Sequence, residues 1–144
     1  MAPGNPSSNA AIVQDVLDAL EDRQLDRALA LLDREVEWLN TGLPTLRGAR
    51  VRGALRQMDR RGIGFRVDHH AIAEDGEVVL TDRTDYLRVG PVENAFWVRG
   101  TFVVRDGLIV RWDDAFGWGA FLGSGVAAVA RALVGRGARR GARD

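Results

Sequence analysis

From Phe65 onward the hydrophobic period of the sequence becomes two and stays so almost to Trp118, interrupted only by the turn dipeptides Asp75-Gly76, Gly90-Pro91 and Asp106-Gly107. Four strands follow from this, at roughly 65–74, 77–89, 94–105 and 108–118. Connections this short join antiparallel neighbours, so the strands form a meander. The residues before Phe65 have the helical period instead. Ser8 or Asn9 can cap a helix carrying Ile12, Val13, Val16, Leu17 and Leu20 on one face, and a second, shorter helix carries Leu25, Ala28, Leu29 and Leu32. Val36 and Trp38 read as a short strand that ends at Thr41-Gly42. Val51, Leu55 and Met58 mark a third helix over about 48–61, closed by Gly62. An apolar stretch from Phe121 to Val134, stopped by Gly135, can pack as a helix across one end of the sheet. Helices first and a long meander afterwards give an α+β fold: a curved, mixed or antiparallel sheet wrapped around N-terminal helices, leaving a cone with a deep apolar pocket.

With 144 residues, 46% hydrophobic and 28% charged, the chain fits one domain with an ordinary core. The domain is expected over 9–134, between a disordered start (1–8) and a disordered, solvated Gly/Arg tail (135–144). All 20 basic residues are arginine, a bias read as that of a GC-rich coding sequence, and 20 acidic residues cancel them. A net charge of zero lacks the electrostatic footprint of a nucleic-acid binder. Cysteine is absent, which excludes disulfides, thiolate metal sites and a cysteine nucleophile. The start has neither a basic nor an apolar leader region and no apolar run reaches membrane-span length, so a cytoplasmic protein without membrane contact is expected.

Three charged residues stand in apolar company. On the strand Thr81–Leu87, side chains alternate, so Arg83 and Asp85 share a face with Leu87. The neighbouring strand offers Phe96, Val98, Gly100 and Phe102 on one face, and Gly100 leaves room for an arginine to cross. On the last strand Asp114 lies in the row Val110, Trp112, Phe116, whereas Asp113 lies with Arg111. A two-residue turn at Asp106-Gly107 sets Gly100 opposite Asp113; one more loop residue sets it opposite Asp114, and hydrophobic alternation favours the second register. Arg83, Asp85 and Asp114 then converge. Taken singly, each could belong to a surface ion network; together, with apolar neighbours throughout, they describe a buried cluster. One arginine, one ionised and one protonated aspartate is the cheapest charge state for such a cluster, and it supplies an acid and a base.

The runs Thr81-Asp82-Arg83-Thr84-Asp85, Trp112-Asp113-Asp114-Ala115-Phe116 and Trp38-Leu39-Asn40 resemble the limonene-1,2-epoxide hydrolase family, a branch of the SnoaL/NTF2-like fold, over about Ala11 to Leu122. The resemblance implies a cofactor-independent enzyme and a homodimer. It also implies roles: Asp114 as the base that deprotonates water, Asp85 as the acid that protonates the epoxide oxygen, Arg83 as the bridge, and Asn40 holding the water. Trp38 stands where the family usually has tyrosine; an indole N–H can donate to water but cannot accept from it.

Ile63, Phe65, Val67, Leu87, Phe96, Val98, Trp112 and Phe116 are the expected cavity wall, and an apolar wall suits a small hydrophobic epoxide. His69 and His70 are adjacent, point to opposite faces and form no metal pair; no metal site is expected. Gly117-Trp118-Gly119 followed by Gly123 does not fit a dinucleotide fingerprint. Two other functions stay in view: a polyketide or terpenoid cyclase or isomerase of secondary metabolism that uses the same acid-base pair with an internal hydroxyl, and a non-catalytic binding module of the same fold.

Overall fold

A computed structural model describes residues 8–117. The helix expected at 121–134 and both terminal segments lie outside that range, apart from Ser8. Helix α1 (Asn9–Glu21) begins at Ser8, whose Oγ accepts the Ala11 N–H at 3.1 Å, and buries Ile12, Val13, Val16 and Leu17 along one stripe. Helix α2 spans Leu25–Ala30, β1 Leu32–Asn40, β2 Leu46–Arg47 and α3 Ala49–Arg60. The meander follows as β3 (Gly64–Asp75), β4 (Val78–Val89), β5 (Val92–Arg105) and β6 (Leu108–Ala115). One six-stranded sheet has the order β2-β1-β6-β5-β4-β3, with β1 parallel to β6 and every other pair antiparallel. The sheet is curved and mixed and does not close on itself, and the helices cover its inner face.

Two local expectations need correction. Leu32 does not belong to the second helix. The Ile109 N–H donates to the Leu31 carbonyl at 2.9 Å and Leu32 pairs with Ile109, so pairing with β6 pulls the chain out of the helix two residues early. The resulting strand β1 is longer than the short one expected around Val36 and Trp38. Its register shifts between Leu32 and Glu37, and Arg52 of α3 donates to the carbonyls of Leu32, Asp33 and Arg34 at 3.2–3.3 Å in that stretch. The two-residue strand β2 carried no period of its own.

The second correction concerns the β5–β6 connection. Asp106 and Gly107 both have positive φ (53° and 78°), and Arg105 pairs with Leu108, so the turn is the two-residue hairpin type. The extra residue sits inside β6: Val104 pairs with Ile109 and Val103 with Arg111, leaving Val110 as a bulge. Beyond the bulge the register is the one expected, Gly100 opposite Asp114. The bulge also resets the alternation, so Ile109, not Val110, is the buried member of the inner row.

Candidate active site

The inner face of the sheet carries a charged cluster at its centre. Arg83 is fully buried, and Asp85 and Asp114 retain only 4% and 6% of their exposure. The Arg83 guanidinium grips Asp85 with two bonds, Nε to Oδ1 at 2.7 Å and Nη2 to Oδ2 at 3.1 Å. The same Nη2 donates to Asp114 Oδ1 at 2.8 Å, and Nη1 donates to Thr81 Oγ1 at 2.9 Å. Strand alternation on β4 puts Thr81, Arg83 and Asp85 on one face, and pairing with β5 and β6 carries Asp114 to them across Gly100. Asp113 points the other way, where it sits 3.8 Å from Arg111 at the surface.

Gly100 is the opening that lets the guanidinium pass. A Cβ there would lie 2.7 Å from Thr81 Oγ1 and 2.9 Å from Phe102 Cε2, and would also meet Arg83 Nη1. Gly100→Ala is therefore expected to displace Arg83, costing about 1–3 kcal/mol of stability through overpacking and at least tenfold in turnover. Paired melting and rate measurements check this; an unchanged rate would show that Arg83 has room to spare.

The charges perturb one another. Burial raises the Asp114 carboxyl to about 6; the Arg83 charge opposes the rise and the Asp85 charge reinforces it. Asp85 is also raised by burial, against two hydrogen bonds and the charge of Arg83, with His69 acting in the same sense as the arginine. Arg83 itself is held more firmly protonated by its two carboxylates than burial alone would allow.

A cavity of about 250 Å³ opens beside the cluster. Asp85 and Asp114 line it, as do Asn40 and Trp38 of β1. The parallel β1–β6 pairing sets Trp38 beside Trp112 and Asn40 beside Asp114, and the Thr41 N–H closes the pair on the Asp114 carbonyl at 3.3 Å. The Trp38 and Trp112 rings stack with centroids 5.1 Å apart. Both indole N–H groups are buried and, among the described residues, donate to no acceptor. Of the expected wall, Ile63, Phe65, Leu87, Phe96, Val98, Trp112 and Phe116 line the cavity. Val67 does not: it packs against the core beneath α1, and its N–H is taken by Glu21 at the end of that helix. Arg83 also stays off the cavity surface, behind the carboxylates it bridges.

Other cavity residues went unrecognised in the sequence. Leu20, Leu25, Leu55 and Met58 have the helical spacing of ordinary core, and nothing in the pattern separated a cavity-facing stripe from a packed one. Arg23, Leu43 and Asp59 at the rim carried no periodic feature at all. His69 and His70 do diverge: His70 reaches Thr84 Oγ1 on the outer face at 2.7 Å, while His69 is paired across strands with Arg83 and has both ring nitrogens buried. Among the described residues no group of histidines and carboxylates has metal-holding geometry. No described helix is long and apolar enough to cross a membrane.

The model of the limonene-1,2-epoxide hydrolase catalytic domain matches residues 7–124. The epoxide hydrolase EphG of Mycobacterium tuberculosis is 39% identical over 104 residues, 72% of this chain and 70% of that protein. A solved M. tuberculosis epoxide hydrolase described as limonene-1,2-epoxide-hydrolase-like superposes with a TM-score of 0.78 at 35% identity, covering 88% of this chain and 95% of that one. TerC, crystallised with polyporic acid, shares the fold with a TM-score of 0.70 at 23% identity, over 82% of this chain and 98% of its own. A buried Asp/Arg/Asp cluster at the floor of an apolar cavity, together with matches over most of the chain, has one reading: the chain belongs to the limonene-1,2-epoxide hydrolase family, on the NTF2-like fold, and is an epoxide hydrolase of that type.

Proposed function

We propose that the protein adds water to a small hydrophobic epoxide without a cofactor, with Asp114 as base, Asp85 as acid and Arg83 as the bridge. The observation that carries this is the Arg83 Nη2 shared by both carboxylates at the cavity floor, with Asn40 in register beside Asp114. Water held between Asn40, the Trp38 N–H and Asp114 loses its proton to Asp114 as its oxygen attacks an epoxide carbon. The carbon–oxygen bond breaks, and Asp85 gives its proton to the leaving oxygen. A vicinal diol results, the pair has moved one proton from Asp85 to Asp114, and solvent returns it after release.

Burial raises both carboxyls, Asp114 to about 6, and the two bonds from Arg83 oppose the rise on Asp85. Substrate orders the pair. An epoxide oxygen accepts only from a protonated Asp85, and water beside Asn40 donates best to an ionised Asp114, so filling the cavity places the single proton where the reaction uses it. An apolar wall of Phe65, Leu87, Phe96, Val98 and Phe116 supports a hydrophobic substrate. A homodimer, carried by family resemblance, completes this reading.

A panel of hydrophobic epoxides in oxygen-18 water tests the proposal: one labelled oxygen per diol supports it, and an unlabelled cyclic product supports the cyclase of secondary metabolism instead. Trp38 sharpens the test. Trp38→Phe removes the donor and is expected to slow hydrolysis about tenfold, the worth of one hydrogen bond, whereas Trp38→Tyr keeps a donor and stays within a few-fold of the parent. Equal rates and equal product ratios in both variants would leave Trp38 only its stacking on Trp112.

A further inference from the structure

The mouth of the cavity is built from the ends of two helices, and they end differently. Helix α3 closes with Gly62 in the left-handed region (φ 69°), the Ile63 N–H reaching back to the Met58 carbonyl at 3.1 Å. Helix α1 closes with the same motif: the Gln24 N–H reaches the Ala19 carbonyl at 2.8 Å and the Arg23 N–H the Leu20 carbonyl at 3.3 Å. The residue in the left-handed position is here an arginine, with φ 57°. Glycine takes that conformation freely and a residue with a Cβ does not, so the backbone is strained in favour of the side chain.

That side chain spans the mouth. Arg23 Nη2 donates to the Asp59 carbonyl at 3.1 Å and to Asp59 Oδ1 at 3.3 Å, and both residues line the cavity. Their side chains are 49% and 42% exposed, which marks the open end, opposite the buried carboxylates. Between the two ends the lining is apolar: Leu20, Leu25, Met58 and Ile63 stand nearest the rim in sequence. An exposed ion pair adds little stability, and Gly62 shows how α1 could have ended without strain. Among the described residues, Arg23 Nε and Nη1 make no hydrogen bond, so the fork keeps donors facing the entrance. Asp59 already balances the arginine's charge, which leaves hydrogen bonding as the main attraction it offers a ligand.

We propose that Arg23 is a specificity-determining residue that receives an oxygen acceptor at the far end of an amphipathic epoxide whose reactive end lies between Asp85 and Asp114. This rests on the epoxide reading above and narrows it, from hydrophobic epoxides in general to elongated ones tipped with a hydroxyl, carbonyl or carboxylate oxygen.

The test compares 1,2-epoxyoctane with its ω-hydroxy and ω-carboxy counterparts on the parent protein and on Arg23→Gly, by steady-state kinetics and by calorimetric binding to the same variants carrying Asp114→Asn. Arg23→Gly relieves the strain, so it is expected to melt no lower than the parent. KM and Kd for the two tipped substrates should rise about tenfold more than those for the plain epoxide. A greater loss on the carboxylate than on the hydroxyl would add charge to the hydrogen bond. Equal losses on all three substrates, or none on any, would overturn the proposal while leaving the epoxide reading intact. Failure of the parent to bind or open any of the three would count against both.

Discussion

Asp114→Asn is expected to fold, to melt at neutral pH no lower than the parent, and to open epoxides on the order of 10²–10⁴-fold more slowly. The amide fills nearly the same volume but cannot take a proton from water. The stability half of the expectation follows from the raised carboxyl. Asp114 titrates near 3.8 when unfolded and near 6 when folded, so its neutral form is the one the fold favours. The stability attached to that form is fully present below about pH 4 and is lost as pH rises through about 6, on the order of 2–3 kcal/mol in all. Asparagine resembles the neutral form at every pH. Melting temperatures of parent and variant should therefore diverge in the variant's favour between pH 4 and pH 7. Near-parental turnover by folded Asp114→Asn would sink the assignment of the base. Asp113→Asn, on the outer face, is the control and should change neither quantity.

Arg83→Leu should damage both stability and activity. Removing the guanidinium leaves two buried carboxylates with only protonation as relief, and breaking a buried pair this way costs about 3–5 kcal/mol, roughly 10–20 °C in melting temperature for a domain of this size. Without the cation both carboxyls rise further above their unfolded values. The deficit is therefore greatest at alkaline pH and shrinks as pH falls and the carboxyls take up protons. Turnover falls as well, because the proton that the pair takes up in place of the cation weakens Asp114 as the proposed base. Melting curves at pH 5 and pH 8 beside rate measurements check this, and an unchanged melting temperature at pH 8 would mean that the carboxylates do not depend on Arg83.

Much of the cluster was legible in the chain because strand alternation is a strict rule: once Leu87 faces inward, Arg83 and Asp85 face inward with it, and Gly100 marks where the guanidinium crosses. The register of Asp114 was reached through the wrong element. An extra residue in the turn and a bulge at Val110 shift the following residues identically, and nothing local distinguishes them until the positive φ of both Asp106 and Gly107 fixes the turn at two residues. Leu32 misled for a related reason, since its spacing from Leu25, Ala28 and Leu29 satisfies a helix while its place beside Ile109 is decided by a strand some eighty residues away. Val67 satisfied alternation too, but alternation reports only the inner face, and whether a side chain on that face meets cavity or packed helix depends on where α1 lies above it.

The parallel pairing of β1 with β6 has a consequence for how the protein comes into being. Arg83 and Asp85 are two residues apart, so acid and bridge are neighbours as soon as β4 is extended. Arg83 and Asp114 are separated by 31 residues and meet when two successive hairpins have formed. The Asn40 end is joined to β6 only through contacts such as Phe116 N–H to Thr41 Oγ1, across 75 residues. Contacts of such range impose their loop-closure cost before they return any stability, and they slow the folding of sheets that depend on them. In the mechanism proposed above, a chain with its meander formed and β1 still undocked holds the proton donor and the arginine but lacks Asn40 to keep the attacking water. On the proposed mechanism diol formation requires β1 docked on β6, so the appearance of diol during refolding reports that docking.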